Sequence, residues 1–451
     1  MLDLLTLLLL VIGIVVVTAR FKISPFLALL AAAFIGAFAF RLPAEEIIPT
    51  ITTSFGNTMG GIGLVILFGT MIGVLLERSG GAIAMADGII KLMGTRFPTL
   101  TMSIIGYIVS IPVFCDSGFV ILNSLKKAIA ARTGTSLVAM SIALMTGLYA
   151  THTLVPPTPG PLAAASNLEV ADSLGLLIGL GLIVAAVSAG VALLYANRFL
   201  KREVELLPVG EGEVEQSYDE LRASYGRLPN GMLAFLPILL PIILICLSSI
   251  AKLPMQPFGD GWFTQTVTFT GTPVVALGLG LIVAIFLLRG HGKLERFNTQ
   301  IVDSITIAAP ILMITAAGAA FGGVLGASSI TDFLSEHLAT LGLGIAVPFI
   351  ISAALKTAQG SSTVAMVTTS VMLLPILPSL GLDSPTGAVL SVLAIGAGAM
   401  VVSHANDSYF WVVSQFSRIP TATAYRTLTP ATGLQGVAAF ATVWVMSLIL
   451  L

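Results

Sequence analysis

Charge is what this 451-residue chain has least of: 21 Lys and Arg with 22 Asp and Glu come to 10% of its residues, against roughly 25% in soluble globular chains. A water-soluble fold of this size cannot cover its surface with so few charged side chains. That excludes a cytosolic enzyme, a nucleic-acid binder with a basic face, and a disordered protein. The two cysteines, Cys115 and Cys246, lie in separate apolar stretches, which points to neither a disulfide framework nor a metal site. P-loop, HExxH, GxSxG and CxxC patterns are missing, so neither ATP hydrolysis nor a metal centre is expected, and no cofactor. Residues 4–17 are apolar, but no Lys or Arg precedes them and Asp3 is acidic. A secretory signal opens with a basic region, so this stretch is read as a retained first span.

What the chain has instead is apolar length. Its hydrophobic fraction is 56% with 45 glycines, and its mean hydropathy is +1.01, the composition of helices packed closely in a bilayer. A bilayer-crossing helix needs roughly 20 mostly apolar residues. Segments 2–18, 23–40, 60–77, 173–197, 231–251, 273–288, 303–325 and 432–451 qualify, and 136–165 and 386–417 are long enough but broken by proline or polar patches. These make about ten transmembrane helices. Two further apolar stretches, 97–130 and 344–378, carry polar residues at their centres, and each reads either as two spans or as one re-entrant hairpin.

Charge decides in favour of hairpins. If neither stretch crosses, three Lys and Arg fall in the loops on one side and eighteen on the other. The rich side is cytoplasmic, which puts both termini outside and the mixed-charge linker 198–230 inside. The halves 1–197 and 231–451 then hold five crossings each, so the second is inverted relative to the first. Residues 54–82 match 304–332 in pattern, with Gly73 opposite Gly323. Asp116-Ser117-Gly118 answers residues 359–363 (QGSST), and Thr151-His152 answers Ser403-His404. The expected fold is an all-α polytopic membrane protein built as two inverted-topology repeats, each with a hairpin (97–130, 344–378) and a broken helix (136–165, 386–417). Secondary transporters are built this way, with substrate near the midplane where the repeats meet.

The polar residues inside the spans are the candidate site. Backbone that is not helical is tolerated in the hydrocarbon layer only where protein or a water-filled cavity satisfies it. A helix that starts at a hairpin tip aims N–H groups and a positive dipole end at that cavity. Ser117, Gly118, Gln359, Gly360, Ser361, Ser362 and Thr363 are therefore expected around a substrate carboxylate, with no arginine required. Four prolines at 156, 157, 159 and 161 must unwind the span after His152. Thr151, His152, His404 and Asn406 are expected to bind substrate hydroxyls. Asp116 and Asp407 are the carboxylates expected to titrate, Asp116 first because it adjoins a tip. Asp407 is the next candidate, unless it holds unwound backbone or pairs with a histidine. Asp116 and Lys356 read equally as members of structural ion pairs, and Glu77 and Arg78 as interfacial. A polytopic enzyme using His152, His404 and Asp407 on a lipid-linked substrate is disfavoured, because its polar groups belong near one interface rather than at mid-span in both halves.

The strings GNTMGGIGLVILFGTMIGVLLERSGGA, PVFCDSGFVIL, ATHTLVPPTPGPLAAA, TAQGSSTVAMVTT and SHANDSYFWVVSQF resemble the gluconate permease (GntP, gluconate:H+ symporter) family over essentially the whole chain. The resemblance implies proton-coupled uptake of gluconate or a related sugar acid across the bacterial inner membrane, by a homodimer embedded in lipid. The proton is the coupling ion, and nucleic acid is no partner. Family members that carry D-serine or other small hydroxy acids share these strings, and a sodium-coupled carrier of the same ion-transporter-like architecture is the further alternative.

Overall fold

In the computed structural model, the described residues are 2–19, 21, 23–201, 207, 218–252, 257–288, 293–328, 343–404 and 407–451. Their regular structure is entirely helical. The first half holds α1 (Leu2–Ala19), α2 (Pro25–Ala39), α3 (Ala44–Arg78), α4 (Gly81–Met93), α5 (Pro98–Val109), α6 (Cys115–Thr133), α7 (Leu137–Leu154), α8 (Pro159–Asn167) and α9 (Leu174–Ala196). The short α10 (Tyr218–Ser224) lies in the linker. The second half holds α11 (Gly231–Ala251), α12 (Trp262–Thr270), α13 (Pro273–Ile285), α14 (Lys293–Gly326), α15 (Ala346–Gln359), α16 (Ser362–Leu373), α17 (Pro385–Gly398), α18 (Ser408–Phe416) and α19 (Thr421–Leu450).

Burial sorts these helices into a centre and a rim. Every residue of α7 from Val138 to Leu154 is buried, and so is every residue of α17 from Gly387 to Gly398. Helices that are apolar on all sides belong in such a centre. They cross closely because Gly396 has no side chain: a Cβ there would run into the carbonyl oxygen of Thr153. On the rim, α11 exposes Leu233, Leu236, Leu239 and Ile243, and α19 exposes Trp444, Leu448 and Ile449. Apolar side chains on an outer helix face are what lipid contact requires.

The two halves run through the same order of elements. A long helix (α3, α14) is followed by helix–break–helix (α5 and α6, α15 and α16), a buried apolar helix (α7, α17), a break, a short helix (α8, α18) and a long final helix (α9, α19). Among the described residues five helical segments are long and apolar enough to cross a membrane, or seven if two bent pairs each count as one span. One bent pair is α3 itself, angled by 43° between Ala44–Gly61 and Gly63–Arg78.

Three expectations shift. Segment 273–288 is not one straight span: α13 has 13 residues and meets α12 at a 71° bend. About 20 Å of helix falls short of a hydrocarbon core of ~30 Å, so only the pair has the length of a span. Helix α3 begins well before residue 60, at Ala44, and carries Pro49 inside its second turn. In the first hairpin the helical break occupies residues 110–114, and Asp116, Ser117 and Gly118 stand in the opening turns of α6 rather than between helices.

Candidate functional site

The first broken helix stops where its prolines begin. Val155 is extended, Thr158 Oγ1 donates to the Val155 carbonyl at 2.7 Å, and Pro159 opens α8, a position where its missing N–H is harmless. His152 lies two residues before the end of α7, buried, with its ring 5.9 Å from that of Phe114. Its Nδ1 is buried without a hydrogen-bond partner among the described residues. Thr151 Oγ1 donates to the Tyr107 carbonyl at 2.8 Å, which ties α7 to α5.

The second break, which follows Gly398, is pinned from α19 at Ser403. Ser403 N–H donates to Thr432 Oγ1 at 3.0 Å, and Thr429 Oγ1 donates to the Ser403 carbonyl at 2.7 Å. Just before this anchored residue Val402 has φ +53°, a left-handed conformation that a β-branched residue adopts only under constraint from its surroundings. His404 Nε2 donates to the Thr357 carbonyl at 2.9 Å, since a carbonyl can only accept. Asp407 caps α18 by accepting the Tyr409 N–H at 3.0 Å on Oδ1.

Asp407 Oδ2 is also the counter-ion of Lys356. The two charged atoms are 2.7 Å apart, with the lysine side chain fully buried and the aspartate side chain 6% exposed. Ser403 donates its hydroxyl to the same oxygen, and Lys356 Nζ donates to the carbonyl of Gly360. Gly360 ends α15 with φ +87°, a turn glycine makes without strain. Ser361 then caps α16, its hydroxyl accepting from Val364 N–H at 3.3 Å.

Both breaks and the start of α6 meet in one place. Asp116 lies within electrostatic reach of Asp407 and Lys356, and its Oδ1 is buried with no hydrogen-bond partner among the described residues. His152 is within the same reach of Asp407. The Tyr149 and Tyr409 rings stand 5.2 Å apart, and their hydroxyls donate to the Ala399 and Met145 carbonyls at 3.1 and 3.0 Å. The Ser362 side chain lies near the Tyr149 hydroxyl. Where α8 passes α16, Gly160 fits against Met366 and the backbone of Thr363.

The structure thus gathers Asp116, His152, Gly360, Ser362, His404 and Asp407 around one buried polar cluster, with Thr363 at its edge. Ser361 and Thr151 are already engaged, Ser361 as a cap and Thr151 on Tyr107, and Ser117 lies near the Glu77 side chain. Gly118 does not face the cluster as expected; it packs under the Leu148 side chain, because residue 118 is helical and turns toward α7. Only the backbone of Gln359 is described, as the last residue of α15. Asn406 lies outside the described residues. Sequence reasoning missed Tyr149, Tyr409 and Ser403 as members, and it left Lys356 without its partner. A lone lysine in an apolar run was the one available signal.

A polytopic helical membrane protein with a buried ion pair at the helix breaks of its second half, beside Asp116 and His152 of the first, has the build of a membrane carrier. The chain belongs to the GntP family of permeases, whose profile matches residues 2–449; this is a family of transporters rather than enzymes. It is 32% identical over 445 residues to a gluconate permease of Pseudomonas aeruginosa, covering 98% of this chain and 96% of that one. It is 31% identical over 451 residues to the D-serine transporter DsdX of Escherichia coli K12, covering 99% and 98%. Its fold is similar to the crystal structure of the Alcanivorax borkumensis YdaH transporter, with TM-score 0.65, 16% identity and 90% of each chain covered.

Proposed function

We propose that the chain is a proton-coupled symporter that imports gluconate or a related sugar acid across the bacterial inner membrane. The observation that carries this reading is the cluster itself: one ammonium, two carboxylates and two histidines, drawn from both halves, with Lys356, Asp407 and His152 buried and Asp116 and His404 half-buried near helix breaks. Ionisable groups are costly inside a bilayer and mark substrate or proton pathways. The gluconate permease among the relatives supports a polyhydroxylated monocarboxylate as cargo. In this reading the substrate carboxylate sits by residues 360–363, with Ser117 and Gln359 nearby. His152, His404, Thr151 and Asn406 take the hydroxyls, and Asp116 and Asp407 are the proton-coupling carboxylates. No cofactor is invoked.

The same reading includes ten crossings in two inverted repeats, with 97–130 and 344–378 as re-entrant hairpins. The matching order of elements supports it. Both termini are placed outside and the 198–230 linker inside, by the eighteen-to-three division of Lys and Arg. A homodimer is part of the reading by resemblance, and lipid covers the exposed apolar rim.

The test is uptake of labelled gluconate into liposomes holding the purified protein, with the pH and sodium gradients varied separately. Accumulation that follows the pH gradient alone is expected. Accumulation that needs sodium, or none in either gradient while D-serine accumulates, turns the reading to its two alternatives. The D-serine transporter among the relatives, at nearly the same identity, makes D-serine the competing cargo.

A further inference from the structure

Lys356 is the one cation in the cluster among the described residues, and its partner Asp407 has other donors. The Ser403 hydroxyl and the Tyr409 N–H both bond Asp407, while Lys356 Nζ also reaches the Gly360 carbonyl at the end of α15. The ammonium therefore stands at the very break where a substrate carboxylate is placed. An anion that docks there competes with Asp407 for it.

We propose that the substrate carboxylate and Asp407 exchange on Lys356: the incoming anion takes over the ammonium, and Asp407, released from it, takes up one proton. This rests on the reading of the chain as a carrier of hydroxy-carboxylate anions, and it adds Lys356 as the residue that recognises the anion. The only bond formed is the O–H of Asp407. Its new hydroxyl donates to Ser403 Oγ, whose own hydroxyl rotates away, as serine hydroxyls can.

Charge conservation makes the exchange a coupling device. The empty site holds an ammonium and a carboxylate, net zero. The loaded site holds an ammonium, the substrate carboxylate and a neutral Asp407, again net zero. Substrate without a proton leaves the site at minus one, and a proton without substrate leaves it at plus one. Unbalanced charge buried in a bilayer protein is strongly disfavoured, so only the empty and the doubly loaded carrier can reorient. The binding of each ligand favours the other, which is thermodynamic coupling.

The other titratable groups facing the pair are Cys115 and Asp116 from α6, Tyr149 and His152 from α7, His404 in the break, and Tyr409 from α18. Asp116 has a buried oxygen with no donor and no cation within ion-pair distance among the described residues. The exchange narrows the coupling role to Asp407: Asp116 enters the count as a neutral carboxyl that offers its O–H to the substrate. His404 is held by Thr357 and serves as a hydrogen-bonding group.

The test is calorimetric titration of the purified full-length protein with D-gluconate, in buffers of different ionisation enthalpy and over a range of pH. Wild type should take up one proton per gluconate bound, with Kd rising about tenfold per pH unit. Asp407→Asn should bind with no proton uptake and a Kd independent of pH. Lys356→Met should weaken binding at least ~100-fold, the scale of removing one partner from a buried charge pair. Asp116→Asn should lower affinity yet keep one proton per gluconate. Gluconamide, which lacks the carboxylate, should cause no proton uptake by wild type, an arm that needs no folded variant. Should either single variant fail to fold, Lys356→Met/Asp407→Asn removes both charges and should fold but not bind. Proton uptake retained in Asp407→Asn, or wild-type affinity in Lys356→Met or the double variant, overturns the exchange. Wild-type binding of gluconate or D-serine with no proton taken up overturns the exchange alone, whereas binding of neither overturns the functional reading beneath it.

Discussion

Lys126 Nζ donates a 2.6 Å hydrogen bond to Ser417 Oγ, joining α6 of the first half to the end of α18 in the second. The lysine is fully buried, its ammonium lies 4.5 Å from the centre of the Phe119 ring, and Ser141 Oγ also donates to Ser417 at 2.9 Å. Lys126 is thus a cross-link between halves. A buried ammonium is held in place by its acceptors, so its value to stability depends on all of them staying.

Ser417→Ala should therefore lower the unfolding temperature in detergent, with a loss of about 1.5–3 kcal/mol for a hydrogen bond to a charged group. Lys126→Met removes the charge and keeps the stem, and replacements of that kind are often neutral or stabilising. The double variant should be more stable than the sum of the singles predicts. Strict additivity in that cycle would show that the two side chains do not interact.

The close crossing of α5 and α7 gives a second prediction. A Cβ on Gly147 would run into the backbone of Ser103, with the Ser103 carbonyl and Cα its nearest neighbours. Backbone cannot move aside as a flexible side chain can. Gly147→Ala should cost at least about 1–3 kcal/mol and reduce the yield of folded protein. Gly190→Ala, where nothing lies within 4 Å of the added carbon, should be tolerated. Equal thermal stability of the two variants would contradict the crossing.

Much of this arrangement was legible in the chain, for identifiable reasons. The breaks after His152 and before Asp407 were visible because prolines and a polar island interrupt apolar runs, and apolar length marked most helices, though not α4 or α12. The helix–break–helix pairs at 98–133 and 346–373 followed from polar residues in the middle of hydrophobic stretches. The pairing of Lys356 with Asp407 was not visible, because they belong to different elements and no local pattern links them. From sequence alone Asp116 comes first as a proton site, being next to a tip. The inward turn of Gly118 against Leu148 and the 71° bend between α12 and α13 are set by packing, which periodicity does not encode.

At the second tip, Ser361→Ala and Thr363→Ala should both weaken gluconate binding. Ser361 also caps α16 through Val364 N–H, so its replacement should cost about 1 kcal/mol of stability as well. Thr363 has no such cap to lose. Ser447→Ala, whose hydroxyl merely bonds back to Trp444 in α19, serves as the control and should bind as wild type. Thermal-shift titration reads both quantities, and unchanged affinity in both tip variants would remove the site from this break.

In the linker, Tyr218 donates its hydroxyl to Asp87 of α4, and Arg222 lies 3.7 Å from the same carboxylate. Burial, and then the hydrogen bond and charge of Asp87, push the Tyr218 hydroxyl above its ordinary value. The folded state thus keeps a proton that the unfolded state releases near pH ~10. This contribution is present below that pH and fades as pH rises above it. Tyr218→Phe removes the group, so the variant should lose about 1 kcal/mol at neutral pH and show a flatter decline in alkali than wild type. Identical alkaline profiles for the two proteins, followed by thermal unfolding, would mean that Tyr218 does not titrate across this range.

The last prediction separates stability from function at His152. Its Nδ1 is buried and unpartnered among the described residues, while the ring packs near Phe114. An unmet polar atom costs free energy in the empty protein, about 1–3 kcal/mol, and such a group is retained where a ligand completes it. His152→Leu replaces the ring with an apolar side chain and removes the orphaned nitrogen. The empty variant should therefore unfold at the wild-type temperature or above it. Its gluconate affinity should fall, because a substrate hydroxyl that loses its partner in a dry site forfeits an interaction of the same size, roughly tenfold or more in Kd. A residue that only packs would give the opposite pattern, with stability lost and affinity kept. Ligand-free melting and a binding isotherm on the same preparation distinguish the two patterns. If His152→Leu melts lower and binds normally, the ring belongs to the core and the substrate hydroxyls must be sought along His404 instead.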